Sequence, residues 1–159
     1  MLIGIISDSH DDMEQLSRAI DLIHERKAAH VLHSGDMCSP FTFDLLSKLE
    51  CPFTGIFGNN DGDRVLLKER SKGRIYIQPH MLELHGRFIA MVHEPIAVEA
   101  IALSGKYDIV IHGHTHIPYI KKEGRALVIN PGKTARLHKG KSTMAFLDLA
   151  SLEAEIVEL

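Results

Sequence analysis

The sequence predicts an α/β protein in which two sheets pack face to face with helices on the outside. Three observations lead there. The first sixty residues alternate strand, helix, strand, helix, strand, an order that implies a parallel sheet with right-handed crossovers. The second half turns to short strands joined by hairpin signals, the mark of a second, mixed sheet. Several strands are unbroken apolar runs, the pattern of strands covered on both faces.

Each element has a local reason. Residues 2–7 form a continuous apolar strand. Asp11 and Asp12 then cap a helix whose buried stripe is Met13, Leu16, Ile20 and Ile23. Residues 30–34 read as the second strand. Ser39-Pro40 starts a helix with a capping serine and a proline in the first turn, and Phe41, Leu45 and Leu49 make its expected buried stripe. Cys51-Pro52 ends it, and 53–57 is the third strand. A short helix is expected over 61–68. Strands follow at 74–78, 81–84 and 87–92, the last two joined by a turn at His85-Gly86. A helix over 95–104 closes at Gly105. Residues 108–112 form another buried strand, 117–121 and 125–130 flank a turn at Glu123-Gly124, and 143–149 and 152–159 close the chain. With no linker, repeat or low-complexity stretch, one domain spanning 1–159 is expected.

Bulk composition narrows the function. At 159 residues and 45% hydrophobic, the chain can bury a sizeable core. A net charge of −3 argues against extended nucleic-acid binding. Cys38 and Cys51 form no CxxC pair and fit a reducing cytoplasm. The opening Leu2-Ile3-Gly4-Ile5-Ile6 is too short to span a membrane and has no basic lead or cleavage site. Histidine is the outlier, with 11 in the chain.

Five strand ends carry metal-ligand residue types: Asp8-Ser9-His10, Gly35-Asp36, Gly58-Asn59-Asn60-Asp61, Val92-His93 and Gly113-His114-Thr115-His116. Singly, each is ordinary turn chemistry, and Asp61 reads equally as a helix cap. Their co-occurrence at strand ends makes the metal reading. In extended chain Asp8 and His10 would project to one side, and His114 and His116 form a chelate. Two carboxylates, an amide oxygen and four imidazoles exceed the needs of one cation, so two divalent ions sharing a ligand are expected. His24, His30, His33, His80, His85, His112 and His138 default to structural roles, with His33 and His112 close enough to the strand ends to support ligands.

This ordered set resembles the calcineurin-like metallophosphoesterases. Asn130-Pro131-Gly132 matches the family's late loop, and the His114-Thr115-His116-Ile117-Pro118 run is similar to the small prokaryotic phosphodiesterases of that superfamily. The resemblance implies a four-layer α/β/β/α sandwich with a dimetal site at the strand ends. It places Asp8, His10 and His116 on one ion, Asn59, His93 and His114 on the other, and Asp36 between them. Manganese is favoured, with nickel, iron, zinc and magnesium as alternatives. The implied reaction is in-line attack of a dimetal-bridged hydroxide on a small phosphodiester or nucleotide-like substrate. Asp36, Asn59, Asn60 and Asp61 form the catalytic set. Protein phosphatases of the superfamily have histidine where Asn60 stands, and an amide cannot protonate a leaving group. Glu94 and Lys133 depart from the family pattern and read as surface residues.

Other readings are weighed against this one. The metallo-β-lactamase fold wants a denser histidine run than His114-Thr115-His116-Ile117-Pro118 offers. A nuclease acting on DNA ends would carry extra domains and a basic surface. A non-catalytic scaffold, as in one retromer subunit, would lack part of the ligand set. A homodimer is compatible with the sequence but not specified by it.

Overall fold

The computed structural model describes residues 1–137 and 140–159; His138, read above as part of a basic loop, lies outside the described residues. Eleven strands form two sheets among these residues. The first has the order β11-β10-β1-β2-β3-β4, from β1 (Leu2–Ile6), β2 (Val31–His33), β3 (Phe53–Ile56), β4 (Ile75–Tyr76), β10 (Thr143–Asp148) and β11 (Ala154–Glu158). The second has the order β5-β6-β7-β9-β8, from β5 (His80–Leu84), β6 (Arg87–Met91), β7 (Ile109–Ile111), β8 (Tyr119–Glu123) and β9 (Ala126–Asn130). Strands β1 to β4 pair in parallel, as do β6, β7 and β9; the remaining pairs are antiparallel.

Strand alternation builds the layers. Ile3 and Ile5 of β1 meet Ile89, Ile109, Ile111 and Ile129 in a core between the sheets. Ile6 faces the other way, into a cluster with Leu16, Ile20 and Ile23 of helix α1 (Met13–Glu25) and Phe43 and Leu46 of α2 (Phe43–Leu46). Leu67 of α3 (Arg64–Arg70) joins that cluster. On the far side Val110 and Val128 pack against Val98 and Ala102 of α4 (Val98–Leu103). The layers therefore run helix, sheet, sheet, helix. Each fully buried Leu or Ile contributes about 1.5–3 kcal/mol.

Several local expectations need correction. Phe41 is not in a buried stripe; it is 66% exposed. A 3₁₀ turn at Pro40–Thr42 precedes the four residues of α2, and that change of pitch rotates Phe43 and Leu46 inward instead. Asp12 alone caps α1, accepting from Gln15 N–H, while Asp11 accepts from Ser39. Asp63, not Asp61, caps α3, which therefore starts three residues later than expected. The helix expected over 95–104 divides into a 3₁₀ turn, Pro95–Ala97, and α4. β8 begins at Tyr119, leaving Ile117 exposed, and its hairpin turns at Gly124-Arg125.

Candidate metal centre

All parallel strands of both sheets point their C-terminal ends toward one edge of the sandwich, and the loops there carry the seven candidate ligands. Asp8 follows β1, Asp36 follows β2, and Asn59 follows β3; His93 follows β6, and His114 and His116 follow β7. The first sheet thus supplies the oxygen ligands with His10, and the second supplies three imidazoles. Backbone bonds tie the loops together. Asp8 N–H donates to Gly35 O, His10 N–H to Asp36 O, and Gly113 N–H to His93 O.

The seven ligand atoms converge. His116 Nε2 lies 3.2 Å and His10 Nε2 3.8 Å from Asp8 Oδ1. Asp36 Oδ2 lies 3.6 Å from His10 Nε2 and 3.3 Å from His93 Nε2. Asn59 Oδ1 is 3.0 Å from His93 Nε2 and 2.9 Å from His114 Nδ1. Asp36 Oδ2 is therefore the atom common to the two groups.

The backbone is bent out of ordinary conformations to achieve this. Asp8, His10, Asp36, His114 and His116 all have φ between 40° and 67°. The extended geometry expected of Asp8 and His10 is thus corrected: both residues are left-handed, and the turn brings their side chains together. Non-glycine residues in this region cost about 1 kcal/mol or more each and cluster where function holds them. Glycine handles the closest approaches. A Cβ on Gly58 would overlap Asp36 Oδ1, and one on Gly113 would overlap Ser7 Oγ and Asp8 Oδ2.

Burial and charge fit a cation. Asp8 is fully buried and Asp36 nearly so. Ser7 O–H and His114 N–H donate to Asp8 Oδ2, but no hydrogen bond of normal geometry reaches Asp8 Oδ1 or His10 Nε2. A buried carboxylate oxygen left so costs several kcal/mol unless a cation faces it. Burial pushes the Asp8 carboxyl up, yet the close His10 and His116 imidazoles and the Ser7 hydroxyl outweigh it and hold it below the ordinary range. The neighbouring Asp8 carboxylate pushes the His10 imidazole up to about 10. Burial alone would lower His93; the Asp36 carboxylate reverses this and raises it. Such negative potential around imidazoles is what a divalent ion would neutralise, and the mixed O/N donor set suits manganese, iron, nickel or zinc.

A model of the calcineurin-like phosphoesterase superfamily domain matches residues 1–152. The chain belongs to that superfamily. It is 34% identical over 160 residues to phosphodiesterase MJ0936 of Methanocaldococcus jannaschii, with 96% of each chain covered. A solved structure of an archaeal phosphodiesterase superposes with TM-score 0.95 at 32% identity, covering all of both chains. Vps29 of Entamoeba histolytica, solved with zinc, has the same fold, with TM-score 0.73, 20% identity and 99% of each chain covered.

For this superfamily member, the outer residues explain how the ligands are aimed. His93 Nδ1–H donates to Ser34 O at 2.8 Å, leaving Nε2 bare toward Asp36 and Asn59. Gln78 Oε1 accepts from His93 N–H. Asn60 clamps Asp36, its N–H on Oδ1 and its Nδ2 on Oδ2, both at 2.8 Å. The Asp61 carboxylate is held by backbone amides. It accepts from Gly58, Asp36 and Cys38 N–H, at 2.6, 3.1 and 2.8 Å. Asp61 therefore ties together the loops that carry Asp36, Cys38 and Gly58.

His33 and His112 do support the centre. His33 Nε2 pairs with Ser9 Oγ, and its Nδ1 accepts from Gly35 N–H. His112 Nε2 pairs with Tyr119 O–H, while Asn130 Nδ2 holds Gly113 O and Thr115 Oγ1. Two surface expectations are revised. Lys133 is only 1% exposed, because its loop folds back on β1: Thr134 N–H donates to Ser7 O and Ala135 N–H to Asp8 O. Glu94 is half-buried and accepts from Gln78 Nε2. Ser34, Gln78 and Cys38 were not singled out by sequence reasoning as site residues. The polar Ser34-Gly35-Asp36 exit was a signal for the first of them. For Gln78 there was none.

Proposed function

We propose that the protein is a metal-dependent phosphodiesterase acting on a small phosphodiester or nucleotide-like substrate. One observation carries the reading: seven candidate ligand atoms from two sheets form two adjoining groups that share Asp36 Oδ2, one of them holding a buried Asp8 oxygen that has no hydrogen bond. In this reading Asp8, His10 and His116 hold one divalent ion, Asn59, His93 and His114 hold another, and Asp36 contacts both. The ions would supply an activated water for in-line attack and neutralise charge on the phosphoryl oxygens.

The chain's own groups do the rest. Ser34 O fixes the tautomer and ring plane of His93. Asn60 holds Asp36 in place and, exposed beside it, can donate to a phosphoryl oxygen. With an amide rather than an imidazole at Asn60, no side chain there can protonate a basic leaving group. A missing acid costs roughly 10²–10⁴-fold and matters most for alkyl monoesters. The name of the archaeal relative, a phosphodiesterase, agrees with this preference.

The test is hydrolysis of bis-p-nitrophenyl phosphate against simple sugar phosphates, with manganese, nickel, zinc or magnesium added. The diester should turn over faster, and Asp36→Asn should abolish activity. Equal or faster hydrolysis of the sugar phosphates would refute the diester assignment. Metal well below one ion per chain in purified, reconstituted protein would instead support a scaffold of the same fold.

A further inference from the structure

His10 uses both of its ring nitrogens. Nε2 faces Asp8 Oδ1 and Asp36 Oδ2. Nδ1 lies 3.2 Å from Cys38 Sγ. A neutral imidazole that coordinates through Nε2 carries its proton on Nδ1, and the atom in reach of that proton is sulfur. The fully buried Asp8 Oδ1, without a hydrogen bond, independently marks the Nε2 side as the cation side.

We propose that Cys38 is the positioning residue of His10. Its sulfur accepts from Nδ1–H, fixes the tautomer and the ring plane, and thereby sets affinity at the Asp8–His10–His116 position. This rests on the metal-centre reading above. Cys38 is not itself among the ligand atoms, because it lies across the ring from Nε2.

The backbone holds the thiol where this role needs it. Cys38 N–H donates to Asp61 Oδ1 at 2.8 Å, and Cys38 O accepts from Gly62 N–H at 3.0 Å. The residue has φ +77°, a conformation glycine adopts freely. A side chain retained there despite the strain is one the site uses.

The comparison with His93 gives the proposal its direction. His93 Nδ1 meets a carbonyl oxygen at 2.8 Å, a strong acceptor. Sulfur is a weak one. His10 is therefore held less firmly than His93, and affinity at the Asp8–His10–His116 position is the one that responds to Cys38.

Metal titration of stripped, full-length protein with cobalt, followed calorimetrically and by visible absorption, tests this. Wild type should show two steps, and His10→Ala should lose one of them. Cys38→Val should weaken that same step by about 10–100-fold and leave the other alone. Cys38→Ser, which keeps an acceptor, should restore most of the loss. Two steps unchanged in Cys38→Val overturns the role of Cys38 and leaves the metal centre standing. No binding by wild type overturns both. Imidazole nitrogen spectra of the metal-loaded wild type give a readout that needs no variant. They should show His10 with its proton on Nδ1; a proton on Nε2 overturns the proposal.

Discussion

Two aspartates two positions apart show how position decides what a carboxylate does. Asp63 is an exposed helix cap accepting one bond, from Leu66 N–H. Asp61 is 5% exposed and accepts from three backbone amides that aim the Asp36, Cys38 and Gly58 segments. Losing a cap costs about 1 kcal/mol. Losing Asp61 leaves buried N–H groups unpaired at about 1–3 kcal/mol each. Asp61→Ala should therefore lower the unfolding free energy by more than about 3 kcal/mol, and Asp63→Ala by about 1 kcal/mol, measured by denaturant melts. Equal effects would show that Asp61 is not the loop anchor. The identity of both residues was plain in the sequence, but their division of labour was not. It depends on α3 starting at Arg64, a boundary the turn-rich Asn59-Asn60-Asp61-Gly62 run obscures.

At the level of strands and helices, the candidate ligands were legible because each is a polar residue within a few positions of the end of an apolar run. What the sequence hid was the path of the backbone beyond each strand. The left-handed turns at Asp8, His10, Asp36, His114 and His116 leave no compositional trace, since only glycine advertises such conformations. Helix α2 was misphased for a similar reason: a 3₁₀ turn at Pro40–Thr42 shifts the inward face by a fraction of a turn. Lys133 looked like a surface residue because nothing local says that its loop packs on Ser7 and Asp8. Strand β2 carries a pH consequence. His33, at its end, is fully buried, and burial lowers its imidazole to about 4. A histidine kept neutral in the fold gives stability that is complete above its unfolded value of about 6.5 and lost as pH falls toward about 4. In metal-free protein this loss opposes the trend set by the raised His10 and His93, so His33→Gln should make the change in stability from about pH 7.5 to about pH 5 more favourable than in wild type. An unchanged pH dependence in the variant would remove His33 as a contributor.

Across the whole molecule, the ligand set joins the two sheets. Asp8, His10, Asp36 and Asn59 come from the first sheet; His93, His114 and His116 come from the second. Ions bound there would act as cross-links available only to the folded chain. At a free concentration 100 times the dissociation constant, each would add about 2.7 kcal/mol. In a protein of this size that corresponds to roughly 5–10 °C in Tm per ion. Thermal melts with added manganese against excess chelator should show a rise of at least this size, and no rise would count against metal binding. No helix among the described residues is long and apolar enough to cross a membrane. A groove of about 670 Å³ lies beside α3, lined by Phe57, Arg64, Val65, Lys68 and Ile77, but it contains none of the seven ligands.

The fold-back of the loop after β9 has a consequence for biosynthesis. Strand β1 lies between β2 and β10, and its exit is fastened by Thr134 and Ala135. A ribosome delivers those partners more than a hundred residues after Asp8 has emerged. The nascent chain therefore carries an unfinished edge and an open ligand set for most of translation. Competence to hold metal arrives only as the last strands leave the tunnel, so a prematurely terminated product ending before β10 should be born without it.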